Sequence, residues 1–212
     1  MTVMINITLH LRDRLPTDVF TDSEVAILVG GTPNSRYGLV KRAIAQGDLI
    51  QLRRGVYSLG KRFQRSSLNR FELAQKIYAP SYVSLESALS HHGWIPEGVY
   101  TTTSVCLKRS TTFETPVGNF SYTRIPKFNF IGVERVVEGR AIFLIADPTK
   151  ALADYIVIHK SELAPKELMA SLRIEEEAWR QISYKLLFEI AESYRNTRLR
   201  AFVKTLRKGR DL

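Results

Sequence analysis

The side chains best suited to recognition chemistry lie between positions 34 and 54: Asn34, Ser35, Arg36, Tyr37, Lys41, Arg53 and Arg54. A guanidinium can donate to guanine O6 and N7 together, and a carboxamide can match adenine N6 and N7. Arg36 and Asn34 therefore carry the patterns that read base edges in a major groove. Lys41 lies one helical turn beyond, and the adjacent Arg53 and Arg54 suit phosphate contacts or entry into a minor groove. The alternative is that all of these are solvated charges on a surface helix and loop.

Candidates for covalent or metal chemistry are weaker. His91 and His92 are consecutive beside Gly93 at a helix end, with no cysteine or third histidine at ligand spacing, which reads as capping or surface histidines. Asp147 and Asp154 are two helical turns apart and could share a face as a carboxylate pair. The simpler expectation is that Asp147 caps a helix with Pro148 behind it, while Asp154 sits on its surface or in an ion pair. Glu175, Glu176 and Glu177 fit a helix's first turn, where negative charge is favourable. Cys106, flanked by Val105 and Leu107, reads as a strand residue that nothing nearby activates. Neither a phosphate-binding GxxxxGK[ST] loop nor a dinucleotide fingerprint is present. No catalytic, cofactor-binding or metal-binding residue is assigned.

The elements that must position the basic set follow from periodicity. Ile7, Leu11 and Leu15 predict a helix stopping before Pro16. Thr21 and Glu24 match a capping box ahead of Val25, Ala26, Leu28 and Val29. Gly30-Gly31 breaks that helix. Thr32 and Pro33 then open another, with Leu39, Val40, Ala43 and Ile44 as its apolar stripe and Gly47 as its stop. Residues 49–59 give two β-rich runs around Gly55, a hairpin with an arginine-bearing tip. Helix, helix, turn, helix and hairpin is the order of a winged helix-turn-helix, whose second helix enters the major groove amino-terminal end first.

Residues 61–67 read as a polar connection. Beyond it come helical signals around Phe71, Leu73, Ala74 and Ile77, a halt at Pro80, and a helix over Ser84–Ser90. Val99–Ile145 predicts a mostly antiparallel sheet, and Asp147-Pro148 starts a helix through Ile156. From Pro165 onward the pattern is helical. The last helix sets Leu199, Phe202, Val203 and Leu206 against Arg195, Arg198, Arg200, Lys204, Arg207, Lys208 and Arg210, with Asp211 as the only nearby acid. That tail either adds phosphate contacts or binds an RNA or an acidic protein surface, or docks by its apolar side with its charges solvated.

Over 212 residues the net charge is +10, which favours a polyanionic partner. With 44% apolar and 25% charged residues the composition is globular. A single cysteine excludes an intrachain disulfide framework, and the opening MTVMINITLHLRDRLP lacks the pattern of a secretory leader. A cytoplasmic location is expected, with no membrane partner.

The stretches FTDSEVAILVGG and LVKRAIAQGDLIQLRRGVYSLG resemble the N-terminal domain of AbiEi-family antitoxins of type IV toxin-antitoxin systems. Gly47–Tyr57 carries most of the likeness, and Tyr82–Leu89 and Ala146–Asp154 resemble the same family's second domain. The resemblance implies a transcriptional autorepressor that binds inverted repeats of double-stranded DNA in its own promoter. It also implies antagonism of a nucleotidyltransferase-like toxin without a stable complex, in a phage-defence setting.

The expectation is an α+β protein, with a winged helix-turn-helix DNA-binding domain over residues 1–62. A mixed α/β antitoxin-type domain over residues 68–212 would follow, ending in the basic helical tail. Two other readings remain open: a nuclease or other hydrolase with a catalytic C-terminal domain, and a protein-binding module that uses the tail.

Overall fold

The computed structural model describes residues 7–210. Met1–Asn6, at the start of the stretch read for a leader, lie outside the described residues, as do Asp211 and the side chain of Arg210 from the basic tail. The chain is an α+β protein. Among the described residues, no helix is long and apolar enough to cross a membrane.

Helix α1 (Ile7–Arg14) ends before Pro16 as the spacing predicts. A short strand β1 (Val19–Thr21) leads into α2 (Asp22–Val29), then α3 (Pro33–Ala45) and the hairpin β2 (Leu49–Arg53) and β3 (Val56–Leu59). β1 was not foreseen, because three residues are too few to show a period. It pairs antiparallel with β3 and completes a three-stranded sheet in the order β1-β3-β2. The sheet's two faces differ. Phe20, Leu49, Tyr57 and Leu59 join Leu11, Val25 and Val40 in a small core under the three helices. Val19, Leu52 and Val56 pack instead into the larger core formed with the rest of the chain. This is strand alternation used to serve two cores at once.

The connection is anchored rather than loose. Arg65 donates to Asp18 Oδ1 at 2.6 Å and to the carbonyl of Leu15 at 2.8 Å, and its backbone N–H donates to Asp18 Oδ2 at 2.7 Å. Beyond it come α4 (Arg70–Ile77), β4 (Ser81–Val83), α5 (Leu85–His91) and the strands β5 (Thr101–Cys106), β6 (Thr111–Thr115), β7 (Gly118–Arg124), β8 (Val133–Glu138) and β9 (Ala141–Ala146). Five helices follow: α6 (Pro148–Ile158), α7 (Pro165–Ser171), α8 (Glu176–Arg180), α9 (Tyr184–Tyr194) and α10 (Thr197–Arg210).

The six-stranded sheet runs β6-β7-β5-β4-β9-β8. Three of its five pairings are antiparallel, in keeping with a mostly antiparallel sheet, while β5–β7 and β4–β9 are parallel. Both arise where a later strand returns beside an earlier one, a long-range pairing that local sequence does not announce. β4 itself was unforeseen and is only three residues long. α5 then takes over its lane: the N–H of Ser84 donates to the carbonyl of Thr103 at 3.1 Å, and the N–H of Thr103 donates to Ser87 Oγ at 2.8 Å. The register places Tyr82 and Tyr122 on opposite faces. Tyr122 donates to the carbonyl of Ala74 in α4, whereas Tyr82 meets α6 and α9 through Asp154 and Tyr194.

Candidate nucleic-acid interface

Capping fixes where α2 and α3 begin. The backbone N–H of Thr21 donates to Glu24 Oε2 at 2.7 Å, and the N–H of Glu24 donates to Thr21 Oγ1 at 3.3 Å, the reciprocal pair the sequence predicts. Thr32 Oγ1 accepts from the N–H of Ser35 at 3.2 Å, with Pro33 at the first helical position. At the far end of α3, Gly47 takes φ +71°, which lets the N–H of Asp48 reach the carbonyl of Ala43 at 2.9 Å and closes the helix. Val40 and Ala43 are buried; Asn34, Ser35, Tyr37 and Lys41 face outward.

The β2–β3 hairpin turns at Arg54-Gly55, with Gly55 at φ +76°. An open cleft of about 350 Å³ separates the turn from the amino-terminal half of α3. Arg36 and Tyr37 line it from the helix, Arg54 and Gln51 from the hairpin, and Asp22 and Tyr57 from the base. Tyr37 is 68% exposed, its ring open to solvent at the cleft. Arg36 folds back, its Nη1 donating to the carbonyls of Gly30 and Gly31. It is thereby held against the glycine turn at the mouth of the cleft.

Arg53 departs from expectation. Read as a partner of Arg54 at an outward tip, it points inward: Nε donates to the carbonyl of Ile77, and Nη1 to that of Arg54 at 3.1 Å. Ile77 is the last residue of α4, whose terminal carbonyls lack helical partners, so a guanidinium is a natural occupant. Of the seven predicted residues, Arg36, Tyr37 and Arg54 line the cleft, Asn34, Ser35 and Lys41 extend its helical side, and Arg53 ties the hairpin to α4. Asp22 and Tyr57 were missed. Asp22 shares the cleft lining with Tyr57, whose phenol burial first and this carboxylate second push up to about 12. Only the pairing of Thr21 with Val56 brings Asp22 beside the hairpin turn, and no local pattern announces that.

The remaining candidates resolve into structure. Asp147 caps α6, accepting from the N–H of Thr149 at 2.8 Å. Asp154 is buried completely and so is not the surface residue allowed as one alternative; it is in the ion pair. Lys150 Nζ lies 3.2 Å from Asp154 Oδ1, which also accepts from Tyr194 at 2.6 Å, while Oδ2 accepts from Tyr82 at 2.9 Å and Ser84 at 2.8 Å. Burial drives the Lys150 ammonium below its ordinary value, against the pull of Asp154. With every Asp154 lone pair so engaged, a paired-carboxylate centre with Asp147 does not form.

His92 ends α5, its Nε2 3.0 Å from the carbonyl of Ala146, and His91 packs edge-on against Phe71 and Phe143. Cys106 is buried in β5, where burial pushes its thiol up. Glu175 precedes α8, and Glu176 and Glu177 form its first turn. Among the described residues no cluster of His, Cys, Asp or Glu could hold a metal ion. α10 docks through Leu199, Phe202, Val203 and Leu206, with Arg198 paired to Glu162 and Arg200 to Glu192. Lys204, Arg207 and Lys208 remain exposed.

No protein-family model matches the chain, and no curated protein matches it either.

Proposed function

We propose that the α1-to-β3 segment is a winged helix-turn-helix and that the protein is a sequence-specific DNA-binding repressor. The observation that carries this reading is the shared cleft: the amino-terminal half of α3 and the hairpin turn flank one opening, and both present arginine to it. The element order supports it, as does a net charge of +10. In this mechanism phosphate contacts from Lys41 and Arg54 supply most of the affinity. Asn34, Ser35, Arg36 and Tyr37 supply base discrimination, and two copies on an inverted repeat occlude the promoter.

The antitoxin half of the proposal rests on the AbiEi resemblance carried by Gly47–Tyr57, Tyr82–Leu89 and Ala146–Asp154. It assigns the rest of the chain to antagonism of a nucleotidyltransferase-like toxin. The competing hydrolase reading has less support, because Asp154, one of its two carboxylates, is buried.

The test is a titration against the duplex upstream of the protein's own gene and a shuffled duplex, at several salt concentrations. Tight, sequence-preferring binding that weakens steeply with salt and is reduced in Arg36→Ala is the expected result. Equal, weak binding to both duplexes overturns the repressor reading.

A further inference from the structure

Resting on the DNA-binding reading above, we propose that Asp22 is a specificity determinant: a fixed carboxylate that accepts from a base amino group and repels phosphate from the same cleft. The geometry sets this up in three ways. Asp22 opens α2, its backbone N–H donating to the carbonyl of Gly55 at 3.0 Å, so its position is tied to the hairpin turn. Its carboxylate reaches that turn so closely that a Cβ added to Gly55 would lie 3.0 Å from Oδ2. Tyr57 lines the same cleft beside it.

Asp22 is exposed, and it lines the cleft together with Arg36, Tyr37 and Arg54. A carboxylate here serves non-specific affinity badly, since any phosphate brought in by Arg54 meets a like charge in a partly desolvated space. It serves base reading well. An ionised carboxylate only accepts, and the amino donors in a major groove are cytosine N4 and adenine N6. The partner assigned to Asp22 is therefore an amino-bearing base edge, cytosine N4 foremost.

The experiment uses the full chain, with duplexes recovered from a random pool by the wild-type protein. Asp22→Asn keeps the shape of the side chain and removes the charge; Asp13→Asn makes the same change of net charge on α1, outside the cleft. For Asp22→Asn the expected results are several-fold tighter binding to shuffled DNA and a roughly tenfold fall in the specific-to-shuffled ratio. Enrichment for an amino-bearing base at one position should also be lost. Asp13→Asn should leave the ratio and the enriched sequence unchanged. Equal ratios in wild type and Asp22→Asn, or equal loss in both variants, overturn the proposal while leaving DNA binding intact. If the wild type enriches no sequence at all, the DNA-binding reading itself fails, a separate outcome. Thermal melts of both variants, compared with wild type, confirm that folded proteins are being compared.

Discussion

Lys150 and Asp154 face one another across a single turn of α6, ammonium 3.2 Å from carboxylate, and neither side chain reaches solvent. Around them, hydroxyls from β4, the start of α5 and the end of α9 complete the shell, so the pair joins the sheet to the C-terminal helices. Removing one partner strands the other charge in a dry interior. Lys150→Met should therefore lower stability by about 3–5 kcal/mol. Adding Asp154→Leu to Lys150→Met removes the stranded charge and should recover part of that loss. Recovery is incomplete, because the hydroxyls of Tyr82, Ser84 and Tyr194 lose their acceptor. Urea unfolding of the two single variants and the double variant measures the coupling.

Alkaline pH should unfold the protein. Tyr57 is pushed up to about 12, and Tyr82, Tyr122 and Tyr194 are also raised, in each case chiefly by burial. Above pH 10 the unfolded chain releases phenolic protons that the folded chain retains, so stability falls as pH rises, by about 1.4 kcal/mol per pH unit for each fully buried phenol. Lys150, lowered by burial, works the other way, because there the unfolded chain binds the extra proton. One lysine opposes several tyrosines, so the net slope above pH 10 is downward. Phenolate absorbance near 295 nm should rise together with loss of helical circular dichroism; phenolate forming well before unfolding would contradict this account.

On the acid side His92 contributes. Burial lowers its folded-state pKa, and its unfolded value lies near 6.5. Below pH 6.5 the unfolded chain takes up a proton that the folded chain resists, so stability is full above that value and declines as pH falls through it. His92→Gln should flatten this part of the curve, read as the urea midpoint between pH 7.5 and 5.

Arg53 and Arg54 are adjacent yet should behave oppositely. Arg54→Ala is expected to leave the melting temperature unchanged, to weaken DNA binding, and to reduce the salt slope by about 1. Arg53→Ala removes the donor to the α4 terminus and should destabilise the fold by about 1–2 kcal/mol. Paired melts and titrations separate the two effects; equal losses of affinity with equal melting temperatures would contradict the assignment.

What the sequence revealed was whatever is encoded locally. The Thr21–Glu24 capping box, Thr32 with Pro33, and the stop at Gly47 are each written in four or five residues. β1 and β4 were hidden because a three-residue strand has no readable period. Arg53 was misplaced because its partner lies 24 positions away, and Asp22 entered the cleft through a strand pairing of the same non-local kind. The segments Tyr82–Leu89 and Ala146–Asp154, read from the sequence as helical and as a resemblance but not as neighbours, converge in space. Tyr82 and Ser84 come from the first and Lys150 and Asp154 from the second, so what these segments share is a buried polar cluster.

The two-faced sheet bears on how the chain can be divided. β1, β2 and β3 send Phe20, Tyr57 and Leu59 one way and Val19, Leu52 and Val56 the other, making the sheet a party wall between two rooms. A fragment ending in the 61–67 connection would keep α1, α2 and α3 but expose the far side of that wall, an apolar strip on a sheet with open edges. Such a fragment would self-associate, and the remainder, stripped of Val19, Leu52 and Val56, would carry the complementary scar. The halves are best studied by substitution, with the wall left standing.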